Sequence, residues 1–223
     1  MRLAFALALA VSGMTAAAPS HARATSAREW QQPKRTPMGT GKLPDAWKLR
    51  FDDPSAKPNE VVVEQKKDAL VVTSGPAAIY YKASMRASGD YDLSAVVSQI
   101  KTTERPEGYG LFIAGADLTK PDGRATLFLV RQDGMYSIRG ETGSGDTKAI
   151  IDWSVARPIH EPSGMKTSNT LAIRARGNEL SFLIDGTEVH HLTRAEAGGD
   201  GIAGIRVGQD LQVQVTKLTL KKQ

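Results

Sequence analysis

Cysteine is absent from the 223 residues. That excludes disulfide staples, thiol nucleophiles, thiolate zinc sites and a lipid-modified N-terminal cysteine. Stability must then come from a hydrophobic core, and a chain of this length can bury one. Aromatic residues are only 6% of the sequence, so few rings are left over as ligand platforms once a core is packed. Histidine is scarce too. His190 and His191 are consecutive, so on a strand they point to opposite faces and cannot hold one ion together, and His160 falls in a loop between Pro158 and Pro162. Long apolar runs are missing: the best, Leu3 to Val11, is about half of the ~20 residues a membrane-spanning helix needs. No basic stripe interleaved with aromatics marks a nucleic-acid surface.

The chain begins with one basic residue, Arg2, the Leu3–Val11 run and then small residues ending Ser20-His21-Ala22. This is the pattern of a secretory signal peptide over residues 1–22, with cleavage after Ala22 or Ala24 and a periplasmic or extracellular destination. Residues 23–42 are rich in Arg, Pro, Thr and Gly, carry Arg23, Arg28, Lys34 and Arg35, and read as a flexible basic arm. They hold much of the formal charge excess of +5.

From residue 43 to 223 the sequence changes character. Short runs rich in Val, Ile, Leu, Tyr and Thr alternate with turn signals every eight to twelve residues or so, which predicts an all-β sandwich or barrel. Strands are expected over 60–64, 69–73, 78–81, 91–100, 109–114, 149–153, 202–207 and 211–220, with one short helical segment near Thr193–Ala197. The last strand changes parity near Lys217, from Val213 and Val215 to Leu218 and Leu220, which predicts a β-bulge. Tyr80 and Tyr81 should face opposite ways, one into the core and one out.

Turn chemistry fixes register. With Gly177-Asn178 and Asp185-Gly186 as two-residue turns, Arg176 pairs with Glu179 and Ile184 with Thr187. Leu171, Ile173, Ala175, Leu180, Phe182, Ile184 and Val189 then share one face. Applying the same two-residue rule to Asp133-Gly134 sets Gln132 opposite Met135. One face of that hairpin collects Leu127, Leu129, Arg131, Tyr136 and Ile138, and the other Phe128, Val130, Met135, Ser137 and Arg139. The second face combines an aromatic, a hydroxyl and a guanidinium; lying open in a groove it would suit a sugar, and covered it would not.

The order Gly75-Pro-Ala-Ala-Ile-Tyr-Tyr81, Gly108-Tyr-Gly-Leu-Phe-Ile-Ala-Gly115, Phe128-Leu-Val-Arg131 and Phe182-Leu-Ile-Asp-Gly186 resembles bacterial concanavalin A-like (laminin G-like) domains. It is most similar to exported domains near the 3-keto-disaccharide hydrolases. The resemblance implies a two-sheet antiparallel jelly-roll sandwich whose concave face holds glycans or small sugars in many relatives. The Glu-x-Asp-x-x-Glu strand of sandwich glycanases is absent.

Sugar binding needs rings for C–H faces and polar groups for hydroxyls. Tyr109, Phe128, Arg131, Met135, Ser137, Arg139 and Trp153 are the candidate ligand-binding residues. Glycoside hydrolysis needs two carboxyls ~5 to 10 Å apart, and Glu107 with Glu141 are the candidates. No cofactor or catalytic metal is expected; Asp117, Asp122 and Asp200 could give loop oxygens to a structural calcium, as in some relatives. Three functions follow: glycan recognition, a 3-keto-disaccharide type hydrolase or lyase, and a structural envelope-interaction protein using its basic arm.

Overall fold

The computed structural model describes residues 37–120, 122–142, 145–159 and 167–223. The expected signal peptide, most of the arm and His160 lie outside the described residues. The end of the arm is bonded to the domain, with the Met38 and Gly39 amides donating to the Asn59 carbonyl at 2.8 and 3.0 Å.

Among the described residues are fourteen strands and one α-helical turn, besides a 3-10 turn at Pro58–Glu60. They are β1 (Trp47–Phe51), β2 (Val61–Lys66), β3 (Ala69–Ser74), β4 (Ala78–Ala87), β5 (Tyr91–Gln99), β6 (Tyr109–Ala116) and β7 (Arg124–Val130), then β8 (Met135–Thr142), β9 (Thr147–Val155), β10 (Thr167–Arg176), β11 (Glu179–Ile184), β12 (Thr187–Thr193), α1 (Arg194–Ala197), β13 (Gly201–Val207) and β14 (Gln212–Lys222). All strand pairs are antiparallel. One seven-stranded sheet runs β1-β4-β13-β6-β7-β8-β9, and the other β12-β11-β10-β5-β14-β3-β2. Every strand expected from alternation is present. β1 was not expected, although Trp47-Lys-Leu-Arg-Phe51 alternates apolar and basic residues. The helical turn is where it was expected, capped by Thr193, whose amide donates to the Glu196 carboxylate at 2.7 Å.

The β10–β11 register is as predicted, Arg176 opposite Glu179 through Leu171 opposite Ile184. Leu171, Ile173, Ala175, Leu180, Phe182 and Ile184 are all wholly buried in the core between the sheets. Each of these leucine, isoleucine and phenylalanine side chains contributes about 1.5–3 kcal/mol by leaving water. The predicted face breaks at β12: Leu183 pairs with Glu188 but Phe182 with His190, so Val189 is an extra residue and is only partly packed on the core. A two-residue turn fixes parity at the hairpin end, and a bulge resets it. The bulge near Lys217 is present, with a shift between Thr216 and Thr219 and Lys217 at φ 52°.

The β7–β8 hairpin corrects the predicted register. Val130 pairs with Tyr136, Leu129 with Ser137, Phe128 with Ile138 and Leu127 with Arg139. The loop has three residues, Gln132 to Gly134, closed by the Gly134 amide on the Arg131 carbonyl at 3.2 Å, with Gly134 at φ 79°. A type I turn followed by a left-handed glycine is the usual three-residue solution, and Asp-Gly serves it as readily as a two-residue turn. One residue of slip exchanges the faces of one strand relative to the other. Phe128, Val130, Tyr136 and Ile138 therefore belong to the core, and Leu127 and Leu129 to a second apolar cluster on the sheet's other face. Tyr80 and Tyr81 do face opposite ways, but both are buried, Tyr80 in the core and Tyr81 in that second cluster against Phe112.

Candidate functional site

Strand pairing assigns the outer face of the first sheet. Leu49 and Phe51 pack toward the core, so Arg50 between them points outward; Ile205 and Val207 do the same for Arg206. Glu141 pairs with Ala125, a member of the outer cluster. β1 and β8 are five places apart in the sheet, which in a flat sheet is roughly 24 Å at about 4.8 Å per strand. Yet Arg50 donates from Nη2 to the Glu141 carboxylate and from Nη1 to the Thr142 carbonyl at 3.1 Å. At the β8–β9 turn, a Cβ on Gly145 would stand 2.6 Å from the Asp52 Cβ. The sheet is therefore curled, its outer face is concave, and the β8–β9 hairpin reaches across to β1.

The crossing is held by charge. Both Asp52 oxygens accept from the two Nη atoms of Arg206, and Arg206 Nη1 lies 3.8 Å from Glu141 Oε1. Side-chain exposure is 0% for Glu141, 9% for Arg206 and 10% for Arg50, so solvent screens the network little. Burial works against the Arg206 cation, and the Asp52 and Glu141 carboxylates more than restore it. Burial pushes the Glu141 carboxyl up, against the pull of Arg206 and Arg50. Glu107, half buried, is likewise pushed up by burial and pulled down by Arg206. Glu107 and Glu141 thus meet the same guanidinium field, that of Arg206. Arg206 is the one charge in the otherwise apolar strand Gly201–Val207, and that is the available sequence signal.

The raised Glu141 value gives a pH prediction. The folded carboxyl holds its proton more tightly than the unfolded one, so stability rises as pH falls between the raised folded value and the ordinary glutamate value, and falls as pH rises through that window. Glu141→Gln cannot titrate and should lack the rise. Denaturant midpoints of both proteins from about pH 7 to about pH 4 read the difference, and parallel curves would contradict the assignment.

The other sequence candidates are dispersed. Phe128 and Tyr109 are wholly buried in the core, Phe128 edge-on to Phe182 with centroids 5.3 Å apart, so neither ring lines an open face. Ser137 is buried on the concave side and donates to the Ile151 carbonyl at 2.7 Å. Arg131 and Arg139 share that side rather than opposing one another. Arg139 is half-buried and donates from Nε to Thr147 Oγ1 at 3.2 Å. The Arg131 guanidinium lies 4.2 Å above the Trp153 ring and donates to Asp133 and to the Met135 sulfur. Trp153, Arg131 and Met135 therefore form one group at the rim, but Ser137 and the leucines beside it are covered.

The concave side is open elsewhere. A cleft of about 580 Å³ lies over β4, β13 and the end of β6, floored by Tyr81 and Ile202 and edged by Arg86, Ser88, Asp117 and Asp200. Asp117 pairs with Lys120 at 2.8 Å and Asp200 with Arg194 at 2.7 Å. Among the described residues no group of three or more His, Cys, Asp or Glu is placed to hold a metal ion, and no helix is long and apolar enough to cross a membrane.

No family model matches the chain, and no curated protein matches it. Solved structures do. The carbohydrate-binding module CBM66 from Bacillus subtilis superposes with a TM-score of 0.58 at 11% identity, covering 79% of this chain and 96% of its own. The fold is a concanavalin A-like jelly roll. A Bacillus subtilis protein of unknown function with a galectin-like fold gives 0.57 at 10% identity over 79% of this chain and 89% of its own. The carbohydrate recognition domain of Emp47p gives 0.50 at 11% identity over 83% and 92%. At these identities the likeness carries the jelly roll alone, and its function has to be argued from the site.

Proposed function

We propose that this jelly roll recognises a glycan on its concave sheet, in the cleft between Tyr81, Asp117 and Asp200. The observation that carries the reading is the cleft itself. Its volume of about 580 Å³ falls within the ordinary range for small-ligand sites. An aromatic and an aliphatic side chain form its floor, while carboxylates, a hydroxyl and a guanidinium stand at its edge. Sugar C–H faces need the first and sugar hydroxyls the second. Two structural neighbours are by name a carbohydrate-binding module and a carbohydrate recognition domain, which supports the reading. Binding is favoured over hydrolysis because Glu141, one of the two proposed catalytic carboxylates, is sealed beneath Arg50 and Arg206. The signal-like segment 1–22 supports a periplasmic or extracellular site of action.

Asp117→Asn and Asp200→Asn keep side-chain shape and remove the charged acceptor. Each should weaken binding to glycans on an array, then by calorimetry, about 10- to 100-fold, as expected for a hydrogen bond to a charged group, with thermal stability unchanged. Absence of binding to any glycan, or variants binding like wild type, would overturn the proposal.

A further inference from the structure

β4 carries a large irregularity beside the cleft. Tyr81 pairs with Gly204 and Arg86 with Ile202, so Lys82 to Met85 together stand opposite Ala203 alone. Bulges of this kind bend a strand and re-aim its side chains. Here the bulged segment separates two hollows. On one side is the concave cleft; on the other is a groove of about 480 Å³ between the two sheets, where β1 and β4 face β3 and β14. Arg86 lines both.

The second groove has an apolar wall of Trp47, Leu70, Met85, Leu218 and Leu220, and its charged lining is Lys82, Arg86 and Lys222 against Asp68 alone. No ion pair links any of these cations to a described carboxylate. Lys82 sits 5.1 Å from the Trp47 ring centroid. Trp47 is nine-tenths buried and its Nε1 finds no acceptor among the described residues. A buried indole N–H without a partner costs free energy. The groove therefore offers three cations without carboxylate partners, and a single carboxylate, beside an apolar wall.

We infer that the glycan is anionic, a uronic-acid-bearing chain that crosses the β4 bulge, its hydroxyls on Asp117 and Asp200 and its carboxylates on Lys82, Arg86 and Lys222. The inference rests on the glycan-binding reading and names its substrate class. A guanidinium shared by two hollows can hold a carboxylate through two parallel hydrogen bonds, and the flanking lysines add charge without fixed geometry.

Calorimetry of the full chain with polygalacturonate and alginate, against neutral dextran and laminarin, tests this. The acidic polymers should bind more tightly, and the preference should shrink as salt rises. Lys82→Gln with Lys222→Gln, which keeps much of each stem, should weaken acidic binding about tenfold, the equivalent of two exposed charge contacts, and leave neutral binding and thermal stability unchanged. Equal binding of neutral and acidic polymers, or lysine variants indistinguishable from wild type on the acidic ones, would overturn the anionic assignment while leaving the cleft intact. Binding of no polymer at all would overturn the cleft reading, and this inference with it.

Discussion

Phe128→Ala is expected to destabilise the fold by about 3–5 kcal/mol, the range for truncating a buried phenylalanine. The side chain has no exposed surface and meets Phe182 of the opposite sheet edge-to-face, so its loss leaves a cavity spanning both layers. The floor of the proposed cleft, Tyr81 and Ile202, belongs to the second cluster rather than to that core, and glycan affinity should be unchanged in the fraction that remains folded. A chain of this size should lose roughly 10 °C in melting temperature. The result also decides the β7–β8 register. A two-residue turn at Asp133-Gly134 would put Phe128 on the same face as Ser137, away from Phe182, where truncation would be mild for stability. Near-neutral stability would restore that register.

Arg206→Ala should be comparably damaging, at about 3–5 kcal/mol, because removing one partner leaves buried charge uncompensated. The substitution strands Asp52, bidentate on Arg206, and takes away the second cation beside Glu141. It also releases the tie between the β8–β9 hairpin and the far edge of the sheet. Pairing it with Asp52→Ala in a double-mutant cycle should recover part of the loss. Its stability deficit should change little with salt, since both side chains are largely withdrawn from solvent. A deficit below about 1 kcal/mol would place Arg206 among ordinary surface ion pairs and remove the argument that charge holds the concave face closed over Glu141.

These two residues mark where sequence reading succeeds and where it stops. Leu171, Ile173, Phe182 and Ile184 were placed on one buried face from alternation and two glycine-bearing turns alone, and their partners are as predicted. The parity break at Lys217 was likewise visible, since a bulge moves the apolar set from odd to even positions. Phe128 was misplaced by the same reasoning because Asp-Gly is compatible with turns of two lengths. Both resulting faces were apolar, so hydrophobic pattern could not choose between them. Val189 failed for a related reason: the parity break there, from Val189 to the buried Leu192, rests on one residue at the end of a short strand.

The candidate site was less legible than the fold. Glu107 and Glu141 were singled out, but Arg50, Asp52 and Arg206, which set their environment, were not. The open cleft uses Tyr81 and Arg86, and only Asp117 and Asp200 had been noted there, as calcium oxygens. They are ion-paired to Lys120 and Arg194. By itself the sequence determined an all-β chain, the place of most of its strands and the buried face shared by β10 and β11, because alternation with period two and local turn geometry are properties of neighbouring residues. Tertiary structure alone decided which face is concave, that residues 91 positions apart, Arg50 and Glu141, close over it, and where the face remains open. Those outcomes depend on the curl of seven strands and on bulges that displace one strand against the next, and no residue's near neighbours encode them.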